Sequence, residues 1–128
     1  VYTHMIYKSY VVTIIWWMTM KKDLSTMCYG FFSTLSNPTR LAIIEALVEK
    51  PMYVNQMVEE LGQEQSMISH NLKHLVNCHF VFVRREGKQR VYTVNHETVD
   101  PLMRVIENHH QKFCKSGAAC HLNAVKEK

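Results

Sequence analysis

The sequence predicts a mostly helical α+β fold of the winged helix-turn-helix kind, with about five helices and a β-hairpin wing. Three observations carry that prediction. First, residues 64–77 read as a helix that separates its residues by chemistry: Ile68, Leu72, Leu75 and Val76 recur three and four apart as an apolar stripe, and Gln65, Ser66, Ser69, His70 and Lys73 occupy the other face. Second, Asn55 to Leu61 forms a short helix ending at Gly62, which suits the left-handed position after a helix, so a tight turn joins two helices. Third, the β-rich runs Phe80 to Arg85 and Gln89 to Val94 flank a turn at Glu86-Gly87-Lys88, which makes a hairpin.

The polar face of the 64–77 helix has the residue types that read DNA. Hydroxyls and amides meet base edges, while a lysine neutralises phosphate. The hairpin tip is basic as well. Between Gln63 and Val94 stand five cations, Lys73, Arg84, Arg85, Lys88 and Arg90, against the anions Glu64 and Glu86, so about a quarter of the chain carries +3 of its +4 formal charge. Such clustering is the electrostatic footprint of a phosphate-backbone partner. The candidate DNA contacts are therefore Gln65, Ser66, Ser69, His70 and Lys73 in the major groove, with Arg84, Arg85, Lys88 and Arg90 on phosphates or in the minor groove.

Asn37-Pro38-Thr39-Arg40-Leu41, the run Ser66 to Leu75 and the Arg84 to Lys88 wing together resemble the ArsR/SmtB family of winged-helix transcriptional repressors, over about residues 24 to 113. That resemblance implies a homodimer that sits on double-stranded operator DNA in the cytoplasm and leaves it when a metal or metalloid ion binds, although some members respond to other signals or to none.

The remaining elements follow in order. The 128 residues fit one domain, and a hydrophobic share of 47% excludes a disordered chain. Residues 1–22 read as an extension, non-native or flexible. The chain opens on Val1, and Met20-Lys21-Lys22-Asp23 looks like a more natural start. The apolar run Val11 to Met18 is much shorter than the roughly 20 residues of a membrane span, and no signal-peptide pattern follows. A mis-started extension, an element covering the dimer and a membrane contact all stay open; no membrane partner is expected of the domain itself.

A winged-helix domain is expected over 23–115 and a flexible tail over 116–128. In the first helix, Met27, Phe31, Phe32 and Leu35 form an apolar stripe despite Gly30. Asn37 caps a second helix with Pro38 in its first turn, and Leu41, Ala42, Ile44, Leu47 and Val48 are its expected buried side. Arg40 is expected either to reach a phosphate or to pair with a carboxylate such as Glu45. Asp100-Pro101 repeats the cap-then-proline pattern and is read as opening a last helix lined by Leu102, Val105, Ile106, His109 and Phe113. The apolar faces of the first and last helices predict a twofold dimer built on them.

The chain has 8 His and 4 Cys, and structural disulfides are not expected of a cytosolic regulator. By resemblance, the family's interfacial metal site falls on His96, Thr98, His109 and Lys112, and its Cys-x-Cys site falls on Tyr53-Val54-Asn55. Neither set is intact. A different constellation is open: Cys28, Cys114 and Cys120 would suit arsenite, cadmium or copper(I), whereas His96, His109 and His110 would suit zinc, nickel or cobalt. A redox switch through Cys114 and Cys120 is a variant. His70, His74 and Cys78 also recur four apart, but His70 is assigned to DNA and His74 to the apolar side. His79 falls where the family usually has a left-handed glycine. With no phosphate-cradling loop, nucleophile elbow or His-Glu-x-x-His, an enzyme is not expected. The alternative to a DNA-binding regulator is a winged helix used as a protein-interaction module.

Overall fold

The structure, a computed structural model, describes residues 13–15, 18 and 25–114. The proposed extension and tail fall largely outside these residues, as does Cys120. Helix α1 covers residues 25–35. It is followed by α2 (Pro38–Glu49), β1 (Met52–Tyr53), α3 (Val54–Leu61), α4 (Gln65–Asn77), β2 (Val81–Glu86), β3 (Gln89–Val94) and α5 (His96–Phe113). The strands form one antiparallel sheet in the order β1-β3-β2. No described helix is long and apolar enough to cross a membrane.

Local chemistry explains most boundaries. The Asn37 side chain accepts the Arg40 N–H at 3.1 Å, satisfying a first-turn donor of α2, and Pro38 occupies a position where its missing N–H costs nothing. Helix α3 ends on Gly62 at φ 61°, whose N–H returns to the Val58 carbonyl at 3.0 Å. At the wing tip the Glu86–Gln89 pair closes a two-residue loop, and Gly87 supplies the positive φ it needs. His79 takes φ 60°, the left-handed conformation, and its carbonyl accepts from Asn95 Nδ2 at 2.8 Å.

The core is continuous through α2, α3, α4 and the sheet, with Ile43, Leu47, Met57, Ile68, Leu75 and Val81 almost fully enclosed. The expected stripe of α4 is confirmed: Ile68, Leu72 and Leu75 are buried and Val76 is half-buried.

Other expectations are corrected. In α2 the buried side is Ile43, Ile44, Ala46 and Leu47, while Leu41 and Val48 stand at the exposed margin. Apolar residues surround nearly the whole of this helix, so the surrounding elements choose the inner face. Strand β1, unanticipated, pairs Met52 with Tyr92 and buries Met52; two residues are too short to show a strand period. Helix α5 starts at His96, with Asn95 before it and Pro101 inside. Burial of Val99 in the core requires a helical turn upstream of the proline, and the Asn95 carbonyl takes the N–H of Val99 at 2.9 Å.

Candidate nucleic-acid interface

Helix α4 sits on the core through its apolar stripe, so Gln65, Ser66, Ser69, His70 and Lys73 all stand in solvent. Between this helix and the wing lies an open groove of about 670 Å³. Gln65, Ser69 and Lys73 line one wall, Lys88, Gln89 and Arg90 line the other, and Tyr53 and Asn55 lie at its end. No acidic residue lines it. Three cations around an acid-free concavity concentrate positive potential where a phosphate backbone can approach.

The sheet register sorts the two wing arginines. Arg85 faces Arg90 across the hairpin and Arg84 faces Val91, so Arg85 and Arg90 share one surface and Arg84 lies on the other. Arg84 meets Glu86 at 3.7 Å on that second surface. The groove thus gathers Gln65, Ser69, Lys73, Lys88 and Arg90 and is bordered by Arg85. Ser66 and His70 project from α4 outside its lining. Tyr53, Asn55 and Gln89 were missed in the sequence; Asn55, a polar residue opening a short helix, offered the one available signal.

A polar tie behind the groove holds α4 in place. Arg40 Nε donates to Asn71 Oδ1 at 3.1 Å, and its Nη1 donates to the Thr34 carbonyl at 3.1 Å. Asn71, itself buried, donates to the Met67 carbonyl at 2.9 Å. Arg40 therefore directs these two donors to Asn71 and Thr34 rather than to Glu45, and joins the end of α1 to the middle of α4. A charged donor forms hydrogen bonds worth about 1.5–3 kcal/mol each, enough to fix the helix against its support.

His74 also departs from expectation. It is exposed rather than turned to the apolar side, because at 3.6 residues per turn position 74 falls about 120° round the helix from Ile68. Its ring meets that of His70 edge-on at 4.8 Å. Partial desolvation, and then the charges of Arg40, His70 and Lys73, hold its pKa below the ordinary 6.5.

The described candidate metal ligands form no single cluster within one chain. His96 Nδ1 lies 2.9 Å from Asp100 Oδ1, His109 packs against the Phe113 ring at 5.2 Å, and the His110 carbonyl accepts the Cys114 N–H at 2.9 Å. Cys28 and Cys114 are half-buried. Among the described residues, no group of three or more His, Cys, Asp or Glu side chains is placed to hold an ion.

The model of the bacterial regulatory protein, arsR family, matches residues 37–82, which span α2 through the first residues of β2. The arsenical resistance operon repressor of Staphylococcus xylosus is 33% identical over 79 residues, covering 62% of this chain and 72% of that repressor. The chain belongs to the arsR family. Its fold agrees with that of other arsR-type structures. The crystal structure of Mycobacterium tuberculosis Rv0081 superposes with a TM-score of 0.68 at 28% identity, covering 75% of this chain and 97% of that one. The solution structure of the homodimeric winged helix-turn-helix DNA-binding domain of Mb0332 from Mycobacterium bovis gives 0.62 at 26% identity, covering 73% and 89%. As an arsR-family winged helix, the chain is a DNA-binding transcriptional regulator rather than an enzyme.

Proposed function

We propose that this chain is a homodimeric, cytoplasmic transcriptional repressor that holds operator DNA between α4 and the wing and leaves it when a metal or metalloid ion binds. The acid-free groove that joins the polar face of α4 to the basic wing carries the reading. Gln65, Ser66, Ser69 and His70 are assigned to base edges in the major groove, and Lys73, Arg85, Lys88 and Arg90 to phosphates. Arg84, on the far surface of the hairpin, is a weaker candidate than the sequence suggested.

Dimerisation is supported by the apolar surface that α1 and α5 leave uncovered. Phe32, Val105, Ile106 and Phe113 are all more than half exposed. An apolar concavity of about 320 Å³, lined by Phe32, Leu35, Leu41, Leu102, Met103 and Ile106, lies between them. Pairing these faces across a twofold axis covers them and presents two copies of α4 to half-sites about one helical turn apart. Among the described candidates, Cys28, His96, His109, His110 and Cys114 form no ligand group within one chain, so a metal site built from them would need donors from both chains.

The test is a fluorescence-anisotropy titration of the freshly reduced chain on random duplex and on its own upstream DNA, with and without zinc, nickel, cadmium and arsenite. Salt-sensitive binding that one ion abolishes supports the whole reading. Binding indifferent to every ion removes the ion as inducer, and no binding to either duplex removes the repressor.

A further inference from the structure

The outward surface of α4 carries an imidazole pair that DNA reading does not fully account for. His70 and His74 are one turn apart on the same helix face, both exposed, with ring centroids 4.8 Å apart and planes at 80°. Side chains at i and i+4 reach over the same turn. Metal–nitrogen bonds of about 2.0–2.1 Å place two ligating nitrogens about 3 Å apart, a separation that neighbouring rings at this distance reach by rotating about their side-chain torsions.

We infer that His70 and His74 form a two-imidazole chelate for a borderline divalent cation, nickel(II), copper(II) or zinc, on the exposed face of α4 beside the groove lining. Water completes the coordination, since no third donor side chain is grouped with them among the described residues. Cys78, the next residue along the stripe, holds its Sγ 3.5 Å from Thr34 Oγ1 of α1 and is not required. Ligation needs the neutral imidazole. Arg40 and Lys73 lie close enough to His74 to act on its charge. The same cations oppose a dication, so the pair selects ions with strong nitrogen affinity over magnesium or calcium.

The consequence for DNA rests on the repressor reading given above. An ion on the pair takes His70 away from base edges, which lowers discrimination. Its positive charge still attracts phosphate, which preserves sequence-independent affinity. The ratio of specific to non-specific affinity therefore falls, by about tenfold for the loss of one base-edge contact. A repressor in that state redistributes from its operator to bulk DNA.

The experiment follows histidine imidazole NMR signals of the reduced full chain, without DNA, as nickel(II) sulfate is added. Paramagnetic broadening is expected first at His70 and His74, is lost in His74→Gln, and persists in Cys78→Ser. Broadening that begins at His96, His109 or His110, survives in His74→Gln or disappears in Cys78→Ser overturns the chelate. A parallel titration uses a duplex selected from a random pool by the metal-free protein. Nickel should lower its affinity relative to random duplex in the native chain but not in His74→Gln, and an equal loss in both overturns the proposed consequence. Failure to select any duplex without metal refutes the repressor reading and leaves the chelate standing on the NMR result.

Discussion

Replacing Lys88 and Arg90 together by alanine should flatten the salt dependence of DNA binding by an amount the groove geometry sets. Each protomer brings Lys73, Lys88 and Arg90 to the groove wall, and Arg85 joins Arg90 on the same surface of the hairpin. With four cations on each half of a dimer, about eight phosphates are neutralised, and the slope of log K against log salt is about −7. Raising salt from about 50 to 200 mM then weakens binding about 10⁴-fold. The double variant removes about four of those contacts, so its slope falls to about −3.6 and the same salt change costs only about 10²-fold. Both residues are exposed and distant from the core, so circular dichroism and thermal midpoint should not change. Anisotropy titrations at five or six salt concentrations read the slope directly. A variant that stays folded and keeps the parental slope within about one unit refutes the assignment of these residues to phosphates.

Other predictions come from the support of the groove. Arg40→Met leaves the Asn71 side chain and the Thr34 carbonyl without their charged donor and should cost about 2–3 kcal/mol in urea unfolding at fixed protein concentration; a loss below about 0.5 kcal/mol would mean the tie is unimportant. Ile68→Ala opens a cavity at a fully buried position and should cost about 3 kcal/mol by the same measurement, with Met67→Ala, at a half-exposed neighbour, close to neutral. Ile106→Glu places a charge on the uncovered apolar surface; sedimentation should show monomers, and a persistent dimer would place the interface elsewhere. Because the folded state depresses the His74 pKa below 6.5, its neutral form contributes stability that is present above that value and lost as pH falls through the lower folded value. The thermal midpoint of the native chain should therefore drop more between pH 7 and pH 5 than that of His74→Gln, and parallel curves would contradict this assignment.

What the sequence revealed and what it concealed divide along physical lines. Asn37, Gly62 and Gly87 act through their own backbone or the next turn, so their roles were legible without any tertiary information. The α4 stripe was legible because its opposite face is polar. Helix α2 offered no such contrast, and its inner face depended on what packs against it. Arg40 and Asn71 are 31 positions apart, and nothing in their spacing announces a hydrogen bond between them. The start of α5 was misplaced because Asp100-Pro101 carries a strong local signal that burial of Val99 overrides. For the groove, residue type selected the α4 and wing candidates, but only the strand register distinguishes Arg85 from Arg84.

The most direct test of the central claim is amide chemical-shift mapping of the isotopically labelled chain as duplex DNA is added. A helix and wing that hold DNA between them predict the largest shifts at Gln65 to Lys73 and at Lys88 to Arg90, with little change along the exposed face of α5. Shifts centred on α1 and α5, with α4 and the wing silent, would contradict the account.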